Sequence, residues 1–179
     1  MMKITGPESY VSTNWSGGTT TQLMIYPAGS SLQERNFLFR ISTATVEQEE
    51  TVFSIFPDVN RIILPLKGSM TLSHEDGSTI HLKTFEIHAF DGGKTTKCKG
   101  KVTDFNLMMR GNTQGTVNII QLKSGQKMSF SNCILFCFEG EILAENINFN
   151  QLQLLETGSQ EIELQASTNA VLVKSEIRL

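Results

Sequence analysis

Apolar and polar residues alternate with a period of two along most of this chain, and turn-forming residues break the pattern every few positions. Successive side chains leave a pleated backbone on opposite sides, so this period marks strands with one buried face. Phe37 to Glu47 (FLFRISTATVE) sets Phe37, Phe39, Ile41 and Thr43 against Leu38, Arg40, Ser42 and Ala44. Arg61 to Gly68 (RIILPLKG) reads as a buried strand closed by glycine, and Val102 to Arg110 (VTDFNLMMR) alternates again. Asp76-Gly77, between two alternating runs, predicts a hairpin turn. FEIHAF runs into the turn Asp91-Gly92-Gly93, and Thr51 to Phe56 before Pro57 reads as another strand or a short turn. With no heptads and no long helical period, the expectation is an all-β sandwich or barrel.

The pattern also repeats. Ile62 to Leu72 (IILPLKGSMTL) resembles Ile134 to Leu143 (ILFCFEGEIL), each an apolar run, a charge, a glycine and a further apolar segment; Gly68 and Gly140 are 72 positions apart. Two copies of one β unit predict a duplicated barrel joined near Gly111 to Gly115.

Charge excludes some partners. Fifteen Lys and Arg against eighteen Asp and Glu give a net charge of -3, the wrong sign for nucleic acid. Lys94, Lys97, Lys99 and Lys101 read as a solvated loop, as do Glu47, Glu49 and Glu50. No apolar run approaches the roughly 20 residues that span a bilayer, so no membrane partner is expected. Met1 to Ser12 lacks the apolar stretch of a secretory signal. Three cysteines suit a reducing, cytoplasmic compartment. Cys133 and Cys137, four apart on a strand, would stand about 13 Å apart, too far for a bridge. They read as small core residues.

Metal chemistry finds little support. A barrel metal site needs paired histidines on one inward face. Only His74, His81 and His88 occur, seven apart, so successive members face opposite sides of a continuous strand. No metal and no cofactor is expected. Asn14 to Leu23 (NWSGGTTTQL) holds the single tryptophan. It reads either as a tight turn with Trp15 as a core plug, or as a pocket wall where glycine lets a ligand approach the backbone. Ser16 precedes Gly17 but no nucleophile elbow surrounds it. Polar residues inside apolar strands say more. Arg40 and Ser42, Arg61, and Asp104 with Asn106 would give a barrel interior two guanidiniums and one carboxyl. Asp104 is expected to pair with one arginine, leaving the other to grip a carboxylate. A closed ion-pair network, or arginines on an outer face, would leave no site.

NWSGGTTTQL, FLFRISTATVE, FPDVNRIILPLKG, AFDGG and VTDFNLMMR, in this order from Asn14 to Arg110, resemble the HutD/Ves family. The resemblance implies a bicupin, two double-stranded β-helix (jelly-roll) barrels in one chain. Residues 1–112 would form the first barrel with a pocket and 113–179 a second, cupin-like barrel, with strands open to exchange between lobes. It implies a metal-free cupin associated with histidine utilisation or stress response, acting as a metabolite-binding or regulatory protein. Candidate ligands are N-formylglutamate and urocanate. By motif the pocket residues are Trp15, Ser16, Gly17, Gly18, Thr19, Thr20, Gln22, Arg40, Ser42, Arg61, Asp91, Asp104 and Asn106. The preferred reading is a small-carboxylate-binding module, with Trp15 and Gly17-Gly18 as its wall. The alternative is a metal-free isomerase or lyase using a barrel His or Asp as base; on the alternation pattern only one of the His74 and His88 faces looks inward. The chain is also open to forming a homodimer, and a chiefly dimerising interaction protein would leave little trace in its sequence.

Overall fold

Strands form along the alternating runs, and the structure, a computed structural model, describes residues 2–179. In chain order they are β1 (Lys3–Thr5), β2 (Val11–Trp15), β3 (Gly18–Tyr26), β4 (Phe39–Val46), β5 (Glu50–Val52) and β6 (Val59–Gly68). β7 (Met70–His74), β8 (Thr79–Leu82), β9 (His88–Asp91), β10 (Thr96–Lys99) and β11 (Val102–Arg110) follow. The C-terminal portion adds β12 (Gln114–Leu122), β13 (Lys127–Phe130), β14 (Ile134–Glu139), β15 (Glu141–Ala144), β16 (Ile147–Asn150), β17 (Leu154–Glu156), β18 (Ile162–Ala166) and β19 (Ala170–Arg178). The β7–β8 hairpin turns at Asp76-Gly77. Gly77 takes a φ of 84°, and the Asp76 carboxylate accepts from the Ser78 amide and hydroxyl at 2.9 and 2.6 Å.

The chain divides into two compact units. The first holds residues 10–114 with Leu179. It contains a six-stranded sheet in the order β2-β3-β4-β11-β6-β9 and a four-stranded sheet β5-β10-β7-β8. The second holds the N-terminal segment to Ser9 with Gly115–Arg178, as sheets β1-β17-β14-β19-β12 and β13-β18-β15-β16. Residues 3–5 fall within the span 1–112 assigned above to the first barrel. They pair with β17 of the second unit, Ile4 opposite Leu155.

The two units repeat one pairing scheme. β6 lies between β11 and β9, as β14 lies between β19 and β17, and β7 lies between β10 and β8, as β15 lies between β18 and β16. Gly68 and Gly140 close β6 and β14 with φ of 81° and 96°. A register shift precedes each glycine at matching places, between Pro65 and Lys67 of β6 against β11 and between Cys137 and Glu139 of β14 against β19.

In the second unit the interior is one continuous apolar cluster including Leu135, Cys137, Phe149, Leu164 and Leu172. The first unit is built differently. Val46, Ile63, Met70, Leu72, Leu82, Cys98 and Val102 form one cluster, joined by Trp15, Phe53 and Phe90. Phe37, Val59 and Met108 form another, joined by Leu32 and Phe56.

Trp15 is positioned by the turn that follows it. A Cβ at Gly17 would lie 1.9 Å from the Trp15 ring, and one at Gly18 would lie 1.8 Å from the Thr45 carbonyl oxygen. Only glycine lets β3 meet β4 here while the indole folds across the turn. Gly18→Ala is expected to destabilise the protein by more than about 2 kcal/mol. Gly77→Ala, where an added Cβ meets nothing within 4 Å, should cost only the left-handed backbone term of about 1–2 kcal/mol. Urea unfolding of the two variants measures the difference.

Candidate functional site

The register of the six-stranded sheet lines up its polar residues in rows. Ile25, Arg40, Met108, Arg61 and Phe90 are paired in sequence across β3, β4, β11, β6 and β9. The next row runs Gln22, Ser42, Asn106, Ile63 and His88, and the next Thr20, Ala44, Asp104 and Pro65. Members of a strand two apart share a face, so Arg40 with Ser42 and Asp104 with Asn106 and Met108 look the same way. Between the two apolar clusters of this unit they line a cavity of about 250 Å³.

Seven residues predicted from sequence come together there: Trp15, Thr20, Arg40, Ser42, Arg61, Asp104 and Asn106. Gln22 stands just behind; its Oε1 accepts from Arg40 Nε at 2.8 Å. Arg40 Nη1 also donates to Ser42 Oγ at 3.1 Å. The remaining predictions fall elsewhere. Ser16 is exposed in the turn, its carbonyl accepting from Gln48 Nε2. Gly17 and Gly18 shape that turn and do not line the cavity. Thr19 lies on the opposite face of β3 and donates to Asn14 Oδ1 at 3.0 Å. Asp91 is exposed at the end of β9 and accepts from the Gly93 amide.

The expected pairing of Asp104 with an arginine does not form. Neither guanidinium has an acidic partner at ion-pair distance, and Asp104 accepts no side-chain hydrogen bond. Asp104 lies two rows from the arginines, about 13 Å along the strands. Asn106 fills the row between, and its Oδ1 accepts from Arg61 Nε at 3.4 Å. Asp104 as a residue is 3% exposed, and burial pushes its carboxyl up to about 7 against the opposing pull of Arg61. Burial also lowers both arginines to about 10, which leaves them charged at neutral pH.

Arg61 is held by aromatic rings that the motif reading missed. Its guanidinium carbon lies 4.9 Å from the Phe53 ring and 5.0 Å from the Phe90 ring. The two rings stack on each other with centroids 6.4 Å apart, so the guanidinium rests beside the pair and draws a cation–π attraction from both. Phe53 and Phe56 come from the segment after β5, tied by Phe53 N to Thr96 O and Phe56 N to Gly92 O at 2.9 and 2.7 Å. The signal was the aromatic content of Thr51 to Phe56, which has no period to set its face. Exposed Thr13, Val52 and Ser54 lie at the rim of the lining. The Trp15 indole N–H is buried without a hydrogen-bond partner.

The expectation that only one of the His74 and His88 faces looks inward is also corrected. His74 ends β7 in one sheet and His88 begins β9 in the other, and their Nε2 atoms meet at 2.9 Å. His74 Nδ1 contacts Thr96 Oγ1 at 2.9 Å, and both imidazoles pack against Phe90. The pair does not line the cavity. His81 is exposed beside Thr71. Among the described residues, no group of three or more His, Cys, Asp or Glu side chains is placed to hold a metal ion. No helix among the described residues is long and apolar enough to cross a membrane.

Solved structures share this architecture over the whole chain. The protein of unknown function PA5104 from Pseudomonas aeruginosa PAO1 matches with a TM-score of 0.84 at 22% identity, covering 100% of both chains. HutD from Pseudomonas fluorescens SBW25, in a formate condition, matches at 0.75 and 20%, again over 100% of both. The bacterial pirin YhhW from Escherichia coli, in complex with nickel(II), matches at 0.76 and 8% over 100% of both. These define the class as an all-β protein of cupin-like fold. A family model described as HutD matches residues 7–176, so the chain belongs to the HutD family. No curated protein matches the sequence.

Gln22→Leu should destabilise the protein by roughly 1–3 kcal/mol, because it leaves a buried guanidinium N–H without its acceptor. Thr19→Ala, on the outer face of the same strand, should change stability by less than about 0.5 kcal/mol. Denaturant midpoints read both.

Proposed function

We propose that this cavity binds a small carboxylate, and that the protein is a metabolite-binding or regulatory module linked to histidine utilisation or stress response. One observation carries the reading: Arg40 and Arg61 are 6% and 7% exposed, line one cavity, and have no acidic partner at ion-pair distance. A buried charge is costly unless it is compensated. A guanidinium edge presents paired donors that match a carboxylate. The orphaned Trp15 N–H adds a donor suited to an acceptor-rich ligand. Family membership favours N-formylglutamate and urocanate as first candidates. In the two-barrel arrangement we propose, the first unit carries the site and the filled second unit is structural.

A second reading, a metal-free isomerase or lyase, is favoured by one feature: Asp104 lines the cavity with a pKa near the working pH of a general base. Proton exchange or rearrangement of a bound carboxylate, followed by NMR, would establish it.

A thermal-shift panel of small carboxylates tests binding. A ligand at 100 times its Kd stabilises by about 2.7 kcal/mol, which should raise Tm by roughly 5–10 °C in a chain of this size. Arg61→Met and Arg40→Met should each weaken binding by at least about 30-fold, as expected for loss of a buried charged contact. Arg61→Lys should not rescue it, because an ammonium offers no planar fork of paired donors. Unchanged melting with every carboxylate at millimolar concentration rejects the proposal.

A further inference from the structure

Asp104 is an anomaly in a cavity suited to anions. It is buried, lines the same space as both arginines, and is offered no hydrogen bond or ion pair by any described residue. Two arrangements are available to such a group. As a carboxylate it would repel an incoming anion across a poorly solvated space. As a carboxylic acid it is neutral, removes that repulsion and carries one O–H donor.

We infer that carboxylate binding takes up one proton from solvent, held on Asp104, so that the site is a proton-coupled anion receptor. This rests on the carboxylate-binding reading above and adds its regulation by pH. The cavity fits such an exchange. The two guanidiniums face the anion in the Arg40–Met108–Arg61 row, and Asp104 stands on the same wall with Asn106 between. An arriving negative charge would raise the proton affinity of Asp104 further, beyond the effect of burial alone.

The other groups around Asp104 do not account for this behaviour. From β4 and β6, Arg40 and Arg61 stay charged through the range in which Asp104 titrates. From β10, Cys98 is pushed by burial up to about 12 and stays a thiol. From β7 and β9, His74 and His88 stand behind Phe90 and outside the cavity. Burial lowers His88, with His74 adding to the effect. That pair is the one competing source of proton linkage.

Calorimetric titration with N-formylglutamate, and with acetate as a second probe, decides the matter. Both probes are ionised throughout the range from pH 6 to pH 8. Each titration is run in two buffers of different ionisation enthalpy, at pH 6 and pH 8. The expected result is little proton uptake at pH 6 and an approach to one proton per ligand at pH 8. Kd should rise toward tenfold per pH unit above about 7, the slope for one linked proton. Asp104→Asn, neutral at every pH, should bind with no uptake and a flat Kd, whereas His88→Gln should keep the wild-type slope. If Asp104→Asn does not fold, the wild-type and His88→Gln titrations together decide, because uptake kept in His88→Gln excludes the histidine pair. Binding with equal Kd at both pH values and no uptake overturns the inference and leaves the binding reading standing. Uptake that survives in Asp104→Asn, or vanishes in His88→Gln, moves the proton to the histidine pair and also overturns it. No binding heat with either probe at either pH, together with a silent thermal-shift panel, overturns the binding reading itself.

Discussion

The first unit depends on a solution to one problem: holding two guanidiniums on the inner face of a sheet without a carboxylate beside them. Each is secured from behind by neutral groups. Arg40 leans on Gln22 and Ser42, at 2.8 and 3.1 Å. Arg61 lies against the stacked rings of Phe53 and Phe90 and is touched by Asn106. Neutral acceptors and aromatic faces orient the charges without cancelling them. An acidic partner would have stabilised the apo protein and occupied the donors a ligand needs. The arginines keep their donors free of any carboxylate at ion-pair distance, with Asp104 acting on Arg61 only from farther off, and the cavity they line lies between two apolar clusters.

The second unit shows what the same scaffold becomes without that requirement. Gly68 and Gly140 set the correspondence, which brings Arg61 onto Cys133. Pro65 faces Asp104 on β11, and its counterpart Cys137 faces Leu172 on β19. Arginine and aspartate in one unit thus become cysteine and leucine in the other, and both are buried. The space closes into a single cluster. One strand plan therefore supports either a hollow or a filled interior, and a few inward side chains decide which.

Much of this was legible in the chain. Alternation paired Arg40 with Ser42 and Asp104 with Asn106 on common strand faces because strand period is a local property of the backbone; which way those faces look came from the sheet packing. The glycine at 68 and its echo at 140 marked the repeated scheme for the same reason. What was not legible depended on pairing between distant strands. The spacing of the histidines says nothing of a contact between His74 and His88, yet they come from two different sheets and meet at 2.9 Å. Register also separated Asp104 from the arginines, which charge counting alone had joined. Ser16, Thr19 and Asp91 were carried by motif proximity; the turn and the strand face direct them away. Phe53 lay in a segment with no period, so nothing local announced that it would stack on Arg61.

The three thiols change how the cysteine count is understood. Cys98, Cys133 and Cys137 are all buried and unbridged. Burial pushes Cys98 and Cys137 up to about 12 and raises Cys133 as well. Disulfide exchange and peroxide attack proceed through the thiolate, and so little of it exists near neutral pH that these sulfurs are chemically quiet. The fold would therefore persist unscrambled under oxidants as readily as under glutathione. Its thiols, used as packing, record nothing of the milieu in which the protein works.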